Sequence, residues 1–333
     1  MTLPLTFVAD RGDARLRLDQ VVVRRLTDVP RLSRTRVQRW IDQRLILVNG
    51  RPARRAAAPV AAGDRIAVLA PEALEKRAAP AAETGTLEVL YEDEHLLVLN
   101  KPPGIVVHPT YKHASGTLFN AVLGHVQRKA ARPDIADAAD TTDTSGTAGS
   151  TPRLVHRLDK GTSGVLIVSK THAAHVALQR AMATGHVRKE YLAVVHGTPR
   201  RARGTITLPL GRDGNDRRRV VARDDGRASE TRFDVVARGA GMSVMRCDLI
   251  TGRMHQIRVH LASSGWPIVG DPVYGKAGDA LTRQALHAWR LSFPHPVSGK
   301  RMEVTAPVPP DMETLLKEIP GATAAVRPRA PSS

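Results

Sequence analysis

The sequence predicts an α+β chain of two domains, and three observations carry that expectation. At 333 residues the chain is about twice the length of an average domain, ample for a buried core. Charge is unevenly spread: residues 1–70 hold 14 Arg against 6 Asp, a net +8 out of a total of +18, so the first segment reads as its own unit. After the Ala/Pro/Glu-rich stretch 71–86, apolar strand-like runs bounded by turn residues appear, among them His95–Leu99, Val165–Val168 and Val244–Ile250.

Within the first unit, placed at 12–70, Leu18, Val21, Val22 and Leu26 recur at helical spacing and predict a short amphipathic helix. Ser33 is placed as the N-cap of a second helix, whose apolar face is Val37, Trp40, Ile41 and Leu45 and whose other face carries Arg34, Arg36, Arg39 and Gln43. Asn49-Gly50 between Leu45–Val48 and Arg51 predicts a tight hairpin, because both residues tolerate positive φ. Gly63-Asp64 leads into a further strand, Ile66–Leu69. Residues 71–86 read as a linker and 87–312 as the second domain. There Thr86–Tyr91 and His95–Leu99 flank Glu92-Asp93-Glu94 as a hairpin, followed by a Pro102-Pro103-Gly104 turn. Residues 127–152 lack apolar periodicity and read as a flexible loop, and 319–333 as a disordered tail.

Composition narrows the function. Arg supplies 40 of the 50 cations, and its planar fork suits phosphate and base stacking, so the expected partner is a nucleic acid. Cys247 is the single cysteine, which excludes an intramolecular disulfide framework and a multi-cysteine metal cluster. No run of 18 apolar residues is present and the N-terminus lacks the basic-then-apolar order of a signal peptide, so no membrane partner and a cytoplasmic location are expected. His255 and His260 stand five apart, unlike a zinc helix, and no His-Glu-x-x-His, Cys-x-x-Cys or phosphate-loop motif occurs. No metal and no cofactor are expected.

Two charged clusters carry the candidate chemistry. In the stretch from Val155 to Gly164, charged residues precede a small-residue turn and an apolar strand, which places Asp159 in a loop anchored by a rigid element. Taken alone, it reads equally as a surface ion pair. In Thr251–Leu261, Met254, Ile257 and Leu261 fall on one helical face, with Arg258 beside that stripe. A buried Arg258 needs an acidic partner, and Asp159 is the candidate. Residues Arg212–Arg223 concentrate five Arg and read as a solvated hairpin tip or as a loop gripping RNA backbone.

These two clusters, with Asn100–Pro109, Gly270–Gly275, Leu286-His287-Ala288 and His295-Pro296, resemble the RluA-type pseudouridine synthases over about residues 87–310. Residues 15–70, with Arg17-Leu18-Asp19, Leu32-Ser33-Arg34 and Val48-Asn49-Gly50, resemble the S-four type of RNA-binding domain, named for ribosomal small-subunit protein four. The resemblance implies a mixed, mainly antiparallel β-sheet catalytic domain behind a small α/β RNA-binding domain. It also implies isomerisation of uridine to pseudouridine in RNA after base flipping. By the same resemblance, Asp159 matches the catalytic Asp, Tyr191 the Tyr that stacks on uracil, Arg258 the Arg paired with the carboxylate, and Arg157 the Arg that fills the gap left by the flipped nucleotide. Gly161 stands where an acidic residue is usual, and Met254 where Thr is usual.

Ser33, Arg34 and Arg39 are the expected RNA contacts of the first domain. The expected substrate is ribosomal RNA of the large subunit or a pre-ribosomal particle, bound by a monomer. Transfer RNA as target is one alternative, and a non-catalytic RNA-binding or ribosome assembly factor is the other. An Asp, a Tyr and two Arg in the family's positions favour an enzyme, since a pure binder has no need of a carboxylate among phosphates.

Overall fold

The computed structural model describes residues 5–10, 12–26, 32–69, 80–109, 113–131, 152–216, 219–279 and 281–326. The chain divides into two compact units, Met1–Ala79 and Pro80–Ser333.

In the first unit, strand β1 (Leu5–Val8) is followed by helices α1 (Leu18–Arg25) and α2 (Arg34–Asp42), then by strands β2 (Ile46–Val48), β3 (Arg51–Pro52) and β4 (Arg65–Val68). The strands form an antiparallel sheet in the order β1-β4-β2-β3. Asn49 and Gly50 take φ of 52° and 78°, so the β2–β3 turn uses the two residues best suited to it. Leu18, Val21 and Val22 of α1 and Val37, Trp40 and Ile41 of α2 pack against Ile46, Ile66 and Val68. The Ser33 hydroxyl accepts a hydrogen bond from the Arg36 amide and caps α2.

The second unit is built on a large sheet. Its elements are β5 (Glu88–Glu92), β6 (Leu96–Lys101), α3 (Leu118–Ala130), β7 (Arg153–Leu154), β8 (Ser163–Ser169), α4 (His172–Ala183), β9 (Arg188–His196) and β10 (Arg203–Ile206). There follow β11 (Leu210–Arg212), β12 (Val220–Ala222), β13 (Thr231–Gly239), β14 (Met242–Leu249), α5 (Gln256–Ser263), β15 (Leu286–Pro294), β16 (Arg301–Thr305), α6 (Pro310–Lys317) and α7 (Ala322–Ala325). The sheet runs β10-β13-β14-β9-β15-β8-β6-β5, with β16 beside β15 and β7 beside β8. Only β8 and β15 pair in parallel among the described strands, so the sheet is mixed and mainly antiparallel. Strands β11 and β12 form a separate two-stranded arm.

The central strands are apolar on both faces because both faces are covered. Leu97, Leu99, Leu166 and Val168 face one core, which includes Val122 of α3 and Leu261 of α5. Their alternates Leu96, Val98, Val165 and Ile167 face a second core with Leu178 of α4 and Phe293. Cys247 lies buried in the first core, and Trp266 packs edge-to-face on Phe233 at 5.4 Å.

Four expectations need correction. Helix α5 starts at Gln256, not at Met254, because His255 takes a left-handed φ of 55° that interrupts the helical run; Met254 packs instead on Leu210, Val220 and Val259. The expected loop 127–152 begins later, since α3 continues to Ala130; residues 132–151 lie outside those described. The end of the expected linker belongs to the second unit, where Asn120 donates to the Ala81 carbonyl at 2.7 Å and accepts from the Glu83 amide through its own carbonyl at 3.0 Å. The expected tail is packed as far as Val326, because Ile319, Ala322 and Val326 are apolar residues that bury against the first core; residues 327–333 lie outside those described.

Candidate active site

Asp159 sits in the loop between β7 and β8, and several anchors fix that loop. Val155 and Leu158 are buried, with Arg157 exposed between them and Asp159 half-buried just after. The Val155 carbonyl accepts from Gln179 of α4 at 2.9 Å. His156 Nε2 accepts from the Ile167 amide at 3.1 Å, so the proton of the neutral ring lies on Nδ1. Loss of water around this ring holds its pKa down to about 3. Below the loop, the fully buried Lys101 donates to the carbonyls of Pro102, Ile105 and Lys160 at 2.7, 3.0 and 3.2 Å. It thereby staples the Pro102–Ile105 turn to the residue after Asp159. Burial, with a smaller push from Arg283, lowers its pKa to about 7.

Arg258 reaches the same place from α5 and is almost wholly buried. Its Nη1 donates to Asp159 Oδ2 at 3.0 Å, while Nε and Nη2 form a two-pronged bond to Asp271 at 2.7 and 2.8 Å. Asp271 is itself buried, and its Oδ1 also accepts from the amides of Val273 and Tyr274 at 2.9 and 3.1 Å. Burial alone would raise the Asp271 pKa, but the Arg258 fork and these amides reverse it, and the carboxyl is held below its ordinary range. Asp271 thus takes the planar edge of the guanidinium, and the remaining nitrogen orients Asp159. One Asp159 oxygen is engaged in this way, and the other has no hydrogen bond among the described residues.

Tyr191 comes from β9 at the centre of the sheet, opposite Cys247 of β14 and Ala288 of β15. Burial, with a smaller contribution from Asp159, pushes its pKa far up, so the ring stays a neutral phenol. Asp159, Arg157, Arg258 and Tyr191 line one cleft of about 360 Å³, with Lys189, Leu249 and Ile257. Gln256 fixes the nearby 251–253 turn. Its amide donates to Glu230 O and Thr231 Oγ1, and its carbonyl accepts from Thr251 Oγ1 and the Arg253 amide. The cleft therefore offers one oriented carboxylate, an aromatic face and an exposed guanidinium at its mouth.

A family model described as RNA pseudouridylate synthase matches residues 95–263, and an S4 domain model matches residues 16–66. The chain belongs to the RNA pseudouridylate synthase family. Its relatives include the "Uncharacterized RNA pseudouridine synthase YlyB" of Bacillus subtilis (strain 168), 41% identical over 86% of this chain and 89% of that one. Another is "Ribosomal large subunit pseudouridine synthase D" of Nitrosomonas europaea, 38% identical over 92% of this chain and 85% of that one. Among solved structures, "Human RNA Pseudouridylate Synthase Domain Containing 1" is 26% identical, with a TM-score of 0.54, over 70% of this chain and 89% of that one.

In this synthase the tertiary fold gathers Asp159, Arg157, Tyr191 and Arg258, which are up to about a hundred residues apart in sequence, into one cleft. Ser33, Arg34 and Arg39 lie in the first unit. There the Ser33 hydroxyl is engaged as a helix cap, Arg34 pairs with the buried Asp19 at 3.0 Å, and Arg39 is exposed. Sequence reasoning assigned no role to Asp271, Tyr274 or Lys101. Asp271 and Tyr274 stand in the Gly270–Gly275 stretch and Lys101 in Asn100–Pro109, so their positions were flagged but their partners were not. Gly161 faces Gln284, whose Oε1 would lie 2.5 Å from a Cβ there, so the space for a larger residue is taken. Among the described residues no group of three His, Cys, Asp or Glu is arranged to hold a metal ion, and no helix is long and apolar enough to cross a membrane.

Proposed function

We propose that this synthase acts on large-subunit ribosomal RNA, with Asp159 as the catalytic carboxylate, Arg258 as its partner, Tyr191 as the platform for the uracil and Arg157 as the group that replaces the flipped nucleotide. The observation that carries the assignment is the single Asp159 carboxylate held by Arg258 in a cleft floored by Tyr191. In the reaction the N1–C1′ bond breaks, the base turns, C5 bonds to C1′, the C5 proton leaves and N1 ends protonated. One carboxylate is sufficient to act at the sugar as nucleophile or base. Glycoside hydrolysis would need a second free carboxyl roughly 5–10 Å away. The neighbouring carboxyl is Asp271, and Arg258 holds both its oxygens. Flipping the target base costs a few kcal/mol, and the exposed Arg157 offsets part of this by filling the vacated stack.

Arg34 and Arg39 contact phosphates from the first unit, and Ser33 orients them by capping α2. The large-subunit assignment follows the name of the Nitrosomonas relative. The protein works as a monomer in the cytoplasm, without a membrane partner. The test is to map pseudouridines in total RNA from cells that lack the gene and carry either the wild-type copy or Asp159→Asn. Wild type should restore large-subunit sites, whereas Asp159→Asn should restore none. In vitro the Asp159→Asn rate should fall by about 1,000-fold or more, with RNA affinity nearly intact. Wild-type turnover by that variant overturns the Asp159 assignment. Restoration of transfer RNA sites alone overturns the ribosomal one.

A further inference from the structure

Tyr274 connects two parts of the second unit that the reaction itself does not require to be joined. Its Oη accepts a hydrogen bond from the Val220 amide of β12 at 2.9 Å and shares another with His255 Nδ1 at 3.0 Å. The Arg258 guanidinium packs over its ring at 5.2 Å, and the Arg219 guanidinium of the arm lies at 5.6 Å. Its backbone amide donates to Asp271, the carboxylate that holds Arg258. His255 stands on the far side of this junction, with Nε2 3.8 Å from Asp159 Oδ2 and its backbone in the left-handed region.

The foot of the arm is built into the same helix. Leu210 and Val220 bury against Val259, the residue after Arg258, with Met254 and Tyr274 around them. Beyond that foot lies a groove of about 470 Å³ lined by Arg212, Arg227 and Arg253, with Arg223 paired to Asp225 in the same wall. It continues into the catalytic cleft through Gly252, Arg253 and Met254, which line both. A groove rich in arginine and continuous with the cleft suits the phosphates that flank the target nucleotide.

We propose that Tyr274 is a positioning residue that makes turnover depend on the arm: RNA seated in the arm groove fixes Val220, and Tyr274 passes that constraint to Arg258 and His255, and so to Asp159. The proposal rests on Asp159 being the catalytic carboxylate. A tyrosine that only filled space would serve as well without its hydroxyl. Here the hydroxyl is the joint, because it touches both the arm backbone and His255.

The test is Tyr274→Phe, which keeps the ring and removes both hydroxyl bonds. Affinity is read in an Asp159→Asn background, and the rate in single turnovers at saturating enzyme. The expected result is an RNA affinity within about twofold of wild type and a rate lowered about tenfold, roughly what one lost positioning hydrogen bond is worth. Arg212→Ala with Arg227→Ala should lower the saturated rate of wild type yet leave that of Tyr274→Phe unchanged. A Tyr274→Phe rate equal to wild type, or arm substitutions that weaken binding without touching the saturated rate, overturns the coupling. Should Tyr274→Phe fold poorly, hydrogen exchange on Asp159→Asn decides: RNA should protect residues 219–223 and 271–275 together, and protection of the first alone overturns the proposal. Turnover by Asp159→Asn would sink the catalytic assignment, whereas a dead Asp159→Asn with a wild-type Tyr274→Phe sinks the coupling alone.

Discussion

A single arginine decides how the Asp159 carboxylate is presented. Arg258 is buried, so its charge requires compensation, and most of that comes from Asp271 rather than from Asp159. The division of labour leaves Asp159 held by one bond and open to substrate. Removing Asp271 strands a buried guanidinium on a single half-exposed partner, so Asp271→Ala should lose about 3 kcal/mol of stability by urea unfolding at neutral pH. The pH dependence has a definite sign. Asp271 has a folded pKa below its ordinary value, so its contribution is present above the usual carboxylate range and lost as pH falls through the folded pKa. Wild type and Asp271→Ala should therefore converge in acid; a gap that persists there would show that packing, not charge, is responsible.

Elements place these residues because their ends meet. The loop that carries Asp159 runs into β8, whose start pairs in parallel with β15 at Ser163–His287 and Gly164–Ala288. Gly164 has φ of +112°, and a Cβ there would collide with the Ala288 backbone, so only glycine permits this approach. Gly164→Ala should destabilise the second unit by at least about 2 kcal/mol, a fall in melting temperature of about 5 °C or more. An unchanged melt would mean that β8 and β15 separate at little cost. The same logic governs α5. The strained His255 ends the preceding turn and sets the phase of the helix, so that Arg258 points at Asp159 while Ile257 and Leu261 enter the core. Helical spacing alone carried that stripe back to Met254, because periodicity does not register a left-handed residue.

At the scale of the whole molecule both units are basic, residues 1–70 holding +8 of the total +18, while the cleft lies in the second. Asp19 and Asp13, both buried in the first unit, hold Arg17, Arg34, Arg24 and Arg25 at its surface, while Arg39 is exposed without a partner among the described residues. An arginine that neutralises a phosphate strengthens RNA binding by releasing counterions. Deleting residues 1–79 should weaken RNA binding and reduce the slope of log affinity against log salt by about 0.7–0.9 for each phosphate that is no longer neutralised. The second unit has its own cores and should keep its melting transition. An unchanged salt slope would place the phosphate-binding arginines entirely in the second unit.

The sequence by itself determined the two-part organisation, the hairpins at Asn49-Gly50 and Glu92–Glu94, the Ser33 cap and the identity of the residues that meet in the cleft. These are local signals or family motifs, and each depends on neighbours within a few residues. Partner choice was a different matter. Arg258 needed an acid, and the sequence pointed to Asp159 alone; only the packing of the 271–275 turn against α5 shows that Asp271 takes the two-pronged bond and Asp159 the single one. The same holds for Lys101 beneath the Asp159 loop and for Tyr274 at the foot of the arm. A buried polar group satisfies itself with whatever the fold brings within about 3 Å, and that distance is a property of tertiary structure alone.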